Sequence, residues 1–124
     1  MSRILLVEDQ LDIRRLIRMA LEFEDHDIRE AGTGPEALAM LQDWSPDLVL
    51  LDVMLPGGLS GLEVCRTLRN NPATAQVPVV MLSARAQAHD REAGLQAGAN
   101  IYLMKPFSPL QLVDTVQALL PPAE

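Results

Sequence analysis

LVLLDVMLPG, residues 48–57, drives four apolar residues straight into an aspartate, Asp52, and then turns apolar again. A continuous run of this kind reads as a strand buried on both faces, as in a parallel sheet. A carboxylate at the end of such a strand is costly unless something binds it or uses it.

The same pattern recurs along the chain. RILLV (3–7) and PVVML (78–82) are continuous apolar runs, and DIREA (27–31) and IYLM (101–104) are weaker strands placed nearer the sheet edges. Helical periods lie between them. Ile13, Leu16, Ile17, Ala20 and Leu21 share one face, with Arg14, Arg15, Arg18 and Glu22 on the other. Ala37, Leu38 and Leu41, led in by Gly34-Pro35, mark a second helix, and Leu62, Cys65 and Leu68 a third. AQAHDREAGLQAG (86–98) is an Ala-rich fourth, closed by Gly98. Ser108, Pro109 and Gln111 predict a capping box ahead of a fifth helix carrying Leu112, Val113, Val116, Leu119 and Leu120. Alternating strands and helices predict an α/β fold: one five-stranded parallel sheet, doubly wound, with five helices over both faces. Residues 1–120 form one domain, and PPAE (121–124) is a tail or the first residues of a linker.

The bulk numbers narrow the function. At 124 residues the chain can bury a real core, and 48% hydrophobic with 22% charged residues is globular rather than disordered. A formal charge of −7 and 3% aromatics argue against phosphate-backbone binding and base stacking, so no direct nucleic acid contact is expected. Cys65 is the single cysteine, which excludes a disulfide framework and suits a buried small hydrophobe. ILLV (4–7) is too short for a signal peptide and no stretch approaches a membrane span, so a cytoplasmic, membrane-free protein is expected.

In doubly wound sheets the working site lies beyond the carboxyl ends of the strands. The residues arriving there are Glu8 and Asp9, Asp52, Ser83 and Lys105. Two carboxylates ~5 Å apart at an effective dielectric of about 20 repel by roughly 3 kcal/mol, so the cluster needs a cation. Oxygen ligands without His or Cys select Mg²⁺, with Mn²⁺ possible, over zinc. A carboxylate nucleophile, Mg²⁺, a lysine and a hydroxyl together suit transfer of a phosphoryl group onto an aspartate.

LLVEDQ (5–10), VLLDVMLPG (49–57), VVMLSAR (79–85) and YLMKPF (102–107), in that order and spacing, resemble the receiver domain of two-component response regulators. The resemblance covers roughly residues 3 to 120 and implies a chemotaxis-regulator-like, flavodoxin-like strand order 2-1-3-4-5. It implies Asp52 as phosphoacceptor for a histidine kinase or histidine phosphotransfer domain. Asp9, Asp52 and the Met54 backbone carbonyl would be metal ligands, with Glu8 acting through a metal-bound water. Lys105 would pair with the phosphoryl group, Ser83 would turn its hydroxyl to it, and Tyr102 would swing inward on activation. The switched surface would be the fourth helix, fifth strand and fifth helix, serving an effector or a C-terminal output domain. Met54 and Arg85 match the positions that tune dephosphorylation, and Lys105–Pro106 would be cis. The chemistry would be self-catalysed phosphotransfer with slow autodephosphorylation and no turnover of an external substrate.

Each residue also has a plainer reading. Asp52 alone could be a turn or cap aspartate, Lys105 a solvated lysine, Ser83 a turn residue and Tyr102 a half-buried strand tyrosine. Arg14, Arg15 and Arg18 divide evenly between a solvated helix face and a kinase-docking patch. His26 and His89 read as solvated, and Trp44 as a core contact of the second helix. PGGLSG (56–61) carries one glycine more than the family's usual loop, which would loosen it. Asn100 and Ile101 stand where acidic residues are frequent, and the fifth helix lacks Lys and Arg. Acid–base pairing across the fourth-helix, fifth-strand and fifth-helix face is therefore not expected, and Ile101 suggests an apolar output surface. Two rival functions are a non-phosphorylated pseudo-receiver that docks proteins and an aspartyl-phosphate phosphohydrolase. The second would want an aspartate where Met54 stands.

Overall fold

The computed structural model describes residues 2–85 and 87–120, so the tail expected at 121–124 lies outside the described residues. Strands β1 (Ser2–Val7), β2 (His26–Ala31), β3 (Leu48–Asp52), β4 (Val79–Ser83) and β5 (Ile101–Met104) alternate with five helices. These are α1 (Leu11–Leu21), α2 (Gly34–Met40), α3 (Gly61–Asn70), α4 (Ala88–Gln96) and α5 (Pro109–Leu119). Neighbouring strands are parallel in the order β2-β1-β3-β4-β5, with the two less apolar strands at the edges as expected.

The period of two along the strands sorts the core into two layers. Leu5, Val7, Val49, Leu51, Val79 and Met81 face α2, α3 and α4, meeting Ala37, Val64, Cys65 and Leu68. Ile4, Leu6, Leu48, Leu50, Val80 and Leu82 face α1 and α5, meeting Ile17, Leu21, Leu112 and Val116. Cys65 is buried as a small hydrophobe. Trp44 is buried in the first layer, with the Arg29 guanidinium 4.7 Å from its ring centroid.

The helix ends explain several features that periodicity cannot. Ser60 and Glu63 form a complete reciprocal capping box at α3, whereas only half of the box expected at α5 forms, with Ser108 Oγ accepting from the Gln111 backbone N–H. Gly98 closes α4 at φ +113°, and Gly98 and Ala99 return their N–H groups to the carbonyls of Leu95 and Gly94. That is a Schellman ending. Gly57 and Gly58 both adopt positive φ (90° and 88°), so the extra glycine serves a turn only glycine makes easily. Lys105–Pro106 is cis.

A further expectation is corrected. His26 is not solvated: it opens β2 with both ring nitrogens buried and unpartnered among the described residues. Ile101 is half-buried, packed against the α1/α5 core. His89 is exposed on α4 as expected.

Arg69 ties α3 to the loops on either side of β4. It donates to the carbonyls of Gly98 (2.9 Å), Ala75 (3.1 Å) and Val77 (2.7 Å) and to Asn100 Oδ1 (3.0 Å). Asn100 Oδ1 also accepts from the Val79 N–H at 2.8 Å, which occupies the residue standing in for the family's acid. Arg69→Ala is expected to cost about 3 kcal/mol in urea denaturation, and Arg69→Lys to recover little, because one ammonium cannot span the fork's acceptors. A loss under about 1 kcal/mol would refute this assignment.

Candidate phosphoacceptor and metal site

The parallel register brings the strand ends together. Asp52 is the last residue of β3, opposite Leu82, and Ser83 is the last of β4, opposite Met104. Glu8 follows β1 and Lys105 follows β5 directly. Glu8 is fully buried and Asp52 is 4% exposed, so both carboxylates sit largely out of water.

One ammonium serves both. Lys105 Nζ lies 2.6 Å from Glu8 Oε1 and 3.5 Å from Asp52 Oδ2. The remaining oxygens take backbone donors: Glu8 Oε2 accepts from the Gln10 N–H (3.3 Å) and Asp52 Oδ1 from the Met54 N–H (3.2 Å). Asp9 is exposed at the rim, and one oxygen each from Glu8, Asp9 and Asp52 lie within 4.8 Å of one another. A cleft of about 300 Å³ opens over them, lined by Asp9, Gln10, Asp52, Met54, Ala84 and Lys105. The donor set is oxygen only, which fits Mg²⁺ or Mn²⁺ and not a softer ion.

Burial pushes the Glu8 carboxyl up from 4.5 to about 7, with Asp52 adding to the rise and Lys105 only partly offsetting it. Between those values the folded chain holds a proton here that the unfolded chain has released. Stability from this group is therefore present at low pH and lost as pH rises through about 7. In EDTA, wild type should lose on the order of 3 kcal/mol relative to Glu8→Gln between about pH 4 and 8, each pKa unit being worth about 1.4 kcal/mol. Parallel urea-denaturation profiles for the two proteins would contradict this.

Ser83 and Tyr102 meet at the Arg85 backbone. Ser83 Oγ accepts from the Arg85 N–H (3.0 Å), and the Tyr102 hydroxyl donates to the Arg85 carbonyl (3.1 Å). Tyr102 is buried rather than half-buried, and its ring fills the space a side chain at Gly94 would need. The Arg85 guanidinium is 3.7 Å from Asp90, and the Met54 side chain is 55% exposed.

The arginines of α1 divide differently from the reading of one solvated face. Arg14 Nε donates to the Glu8 carbonyl at 2.6 Å and the guanidinium lies 3.7 Å from Glu30. Arg18 pairs with Glu30 and donates to the Ile28 carbonyl at 2.9 Å. Arg15 alone of the three has no ion pair among the described residues. Sequence reasoning missed Gln10 and Ala84 in the cleft and Arg14 behind Glu8. The first two adjoin Asp9 and Ser83, which was the available signal; the third contact follows only from the packing of α1.

The family model for the response regulator receiver domain matches residues 4–117. The chain belongs to this family. Among curated receiver proteins it is 46% identical over 119 residues to the transcriptional regulatory protein ResD of Bacillus subtilis, covering 96% of this chain and 48% of ResD. It is 42% identical over 117 residues to the phosphate regulon transcriptional regulatory protein PhoB of Pseudomonas aeruginosa, covering 94% of this chain and 51% of PhoB. The receiver chain thus spans about half the length of these relatives. Among solved receivers, the chemotaxis response regulator CheY4 of Vibrio cholerae superposes with TM-score 0.89 at 30% identity, covering 97% and 99% of the two chains. The receiver domain of NtrX from Brucella abortus does so with TM-score 0.86 at 33% identity, covering 94% and 97%.

Proposed function

We propose that this receiver accepts a phosphoryl group from a histidine kinase or histidine phosphotransfer domain onto Asp52 in an Mg²⁺-dependent reaction. The observation that carries the reading is the single ammonium of Lys105 held between Glu8 and Asp52 beside a third carboxylate. Asp9, Asp52 and the Met54 carbonyl would hold the ion, with Glu8 through water. Bound there, Mg²⁺ would neutralise charge on the incoming phosphoryl oxygens.

The rest of the chemistry belongs to the chain. An Asp52 oxygen attacks phosphorus in line, the P–N bond to the donor histidine breaks, and that nitrogen keeps the electron pair. No general base is required, because a carboxylate nucleophile carries no proton to be removed. Lys105 then pairs with the new phosphoryl oxygens, and Ser83, whose oxygen accepts from Arg85, still has its own proton to donate. Reversal is slow hydrolysis by water, since neither Met54 nor Arg85 is an acid or amide that orients water well.

The relatives are about twice as long, and their names describe transcriptional regulators, which supports an effector or output module as the downstream partner. With a charge of −7, the receiver itself is not the nucleic-acid reader. No helix among the described residues is long and apolar enough to cross a membrane, which supports a cytoplasmic site of action. Incubation with acetyl phosphate, with and without Mg²⁺, followed by intact mass, tests the proposal. One phosphoryl mass is expected only with the metal. An unmodified chain under both conditions would instead favour the pseudo-receiver that docks proteins.

A further inference from the structure

Glu8, Asp9 and Gln10 join β1 to α1, and the first two carry acids of the proposed metal site. The Glu8 side chain is held by Lys105. Asp9 differs: its exposed carboxylate has no hydrogen bond or ion pair among the described residues, so only the backbone aims it. That backbone is pinned from two sides. The Glu8 N–H donates to the Ala31 carbonyl of β2 (3.0 Å), and the Glu8 carbonyl accepts from Arg14 Nε (2.6 Å). Because the peptide unit is planar, fixing the Glu8 carbonyl also fixes the Asp9 nitrogen and Cα. Arg14 has little freedom of its own. Its side chain is 19% exposed with Nη1 3.7 Å from Glu30, and a Cβ on Gly32 would stand 2.6 Å from Nη2. Glycine at 32 leaves the room that the guanidinium fills.

We propose that Arg14 is a positioning residue for the divalent cation: it holds the Glu8–Asp9 peptide so that an Asp9 carboxylate oxygen stays within 4.8 Å of those of Glu8 and Asp52. It acts through the backbone and not by touching the ion, and its role rests on the metal site proposed above. Charge and positioning make opposite demands here. Arg14 is a cation close behind three carboxylates, so by charge alone its removal should tighten the binding of a second cation. By positioning, its removal should weaken binding, as loss of groups that orient metal ligands does by about 10- to 100-fold. The sign of the change separates the two.

Titration of the metal-free chain with Mn²⁺, followed by loss of the free-ion electron paramagnetic resonance signal, tests this. Arg14→Met should raise the Mn²⁺ Kd by about tenfold. Arg14→Lys, which returns a donor to the Glu8 carbonyl, should recover most of that loss. Glu30→Gln removes the ion pair but leaves the Nε donation, so its Kd should stay within about twofold of wild type. Gly32→Ala crowds only the guanidinium tip and should raise Kd by about threefold, which gives a second reading should Arg14→Met fold poorly by circular dichroism. An unchanged or tighter Kd in Arg14→Met and Gly32→Ala overturns the proposal and leaves the metal site standing. A wild type that binds no Mn²⁺, or whose binding survives both Asp9→Asn and Asp52→Asn, overturns the metal site itself and the role of Arg14 with it.

Discussion

Asp52→Asn should abolish the gain of phosphoryl mass and at the same time make the metal-free chain more stable. Both effects come from the same geometry. Asp52 and Glu8 are buried next to each other with one ammonium between them, 3.5 Å from the first and 2.6 Å from the second. Asparagine keeps an Oδ1 acceptor for the Met54 N–H but has no ionised oxygen to attack phosphorus. It also removes a carboxylate that adds to the rise burial imposes on the Glu8 carboxyl, so Glu8 ionises more readily and Lys105 serves it alone. A gain of about 1–2 kcal/mol is expected at pH 8 in EDTA. Lys105→Met should do the reverse: it strands two buried carboxyls, costs about 3 kcal/mol at that pH and slows phosphoryl gain by about 100-fold. Intact mass and urea denaturation of the two variants give both readouts. A less stable Asp52→Asn protein would sink the account of the cluster as strained.

Gly61→Ala should be the most damaging small substitution near the site. A methyl there would collide with the Asp52 carbonyl oxygen and stand 2.8 Å from Val53 Cα. Those are backbone atoms at the end of β3, not the tip of a flexible side chain that could give way. The Gly61 N–H also donates to the Val53 carbonyl at 2.9 Å, so α3 starts in direct contact with the strand end. A loss of about 3 kcal/mol or more is expected, with Tm falling by about 10 °C. Gly58→Ala is the control: φ is +88° but nothing lies within 4 Å, so only the backbone cost of about 1 kcal/mol applies. Equal losses for the two variants would mean that α3 moves aside freely.

The sheet was legible because its strands are buried on both faces, and continuous apolar runs leave few alternatives. The rim was legible for a related reason: strand ends of a parallel sheet gather at one edge, so Asp9, Asp52, Ser83 and Lys105 could be placed without knowing any distance. What periodicity cannot give is where a long side chain turns. Arg14 and Arg18 sit on the polar side of α1, yet they reach across to Glu30 on the neighbouring strand. Arg69 looks like one more surface cation and instead gathers three loop carbonyls and Asn100. His26 has polar neighbours in sequence, but its place as the first residue of β2 buries both ring nitrogens. The capping box at Ser60 and Glu63 was present in the sequence as Ser-x-x-Glu and went unread.

The inward seat of Tyr102 bears on how the domain would signal. Its ring already occupies the niche beside Gly94, and its hydroxyl already grips the loop that carries Arg85. A ligand shifts an equilibrium only by its differential affinity for the two states. On the proposed reading, in which an inward Tyr102 accompanies output, these contacts would bias the domain toward output and leave phosphate on Asp52 less to rearrange. Control would then come mostly from who can reach the domain.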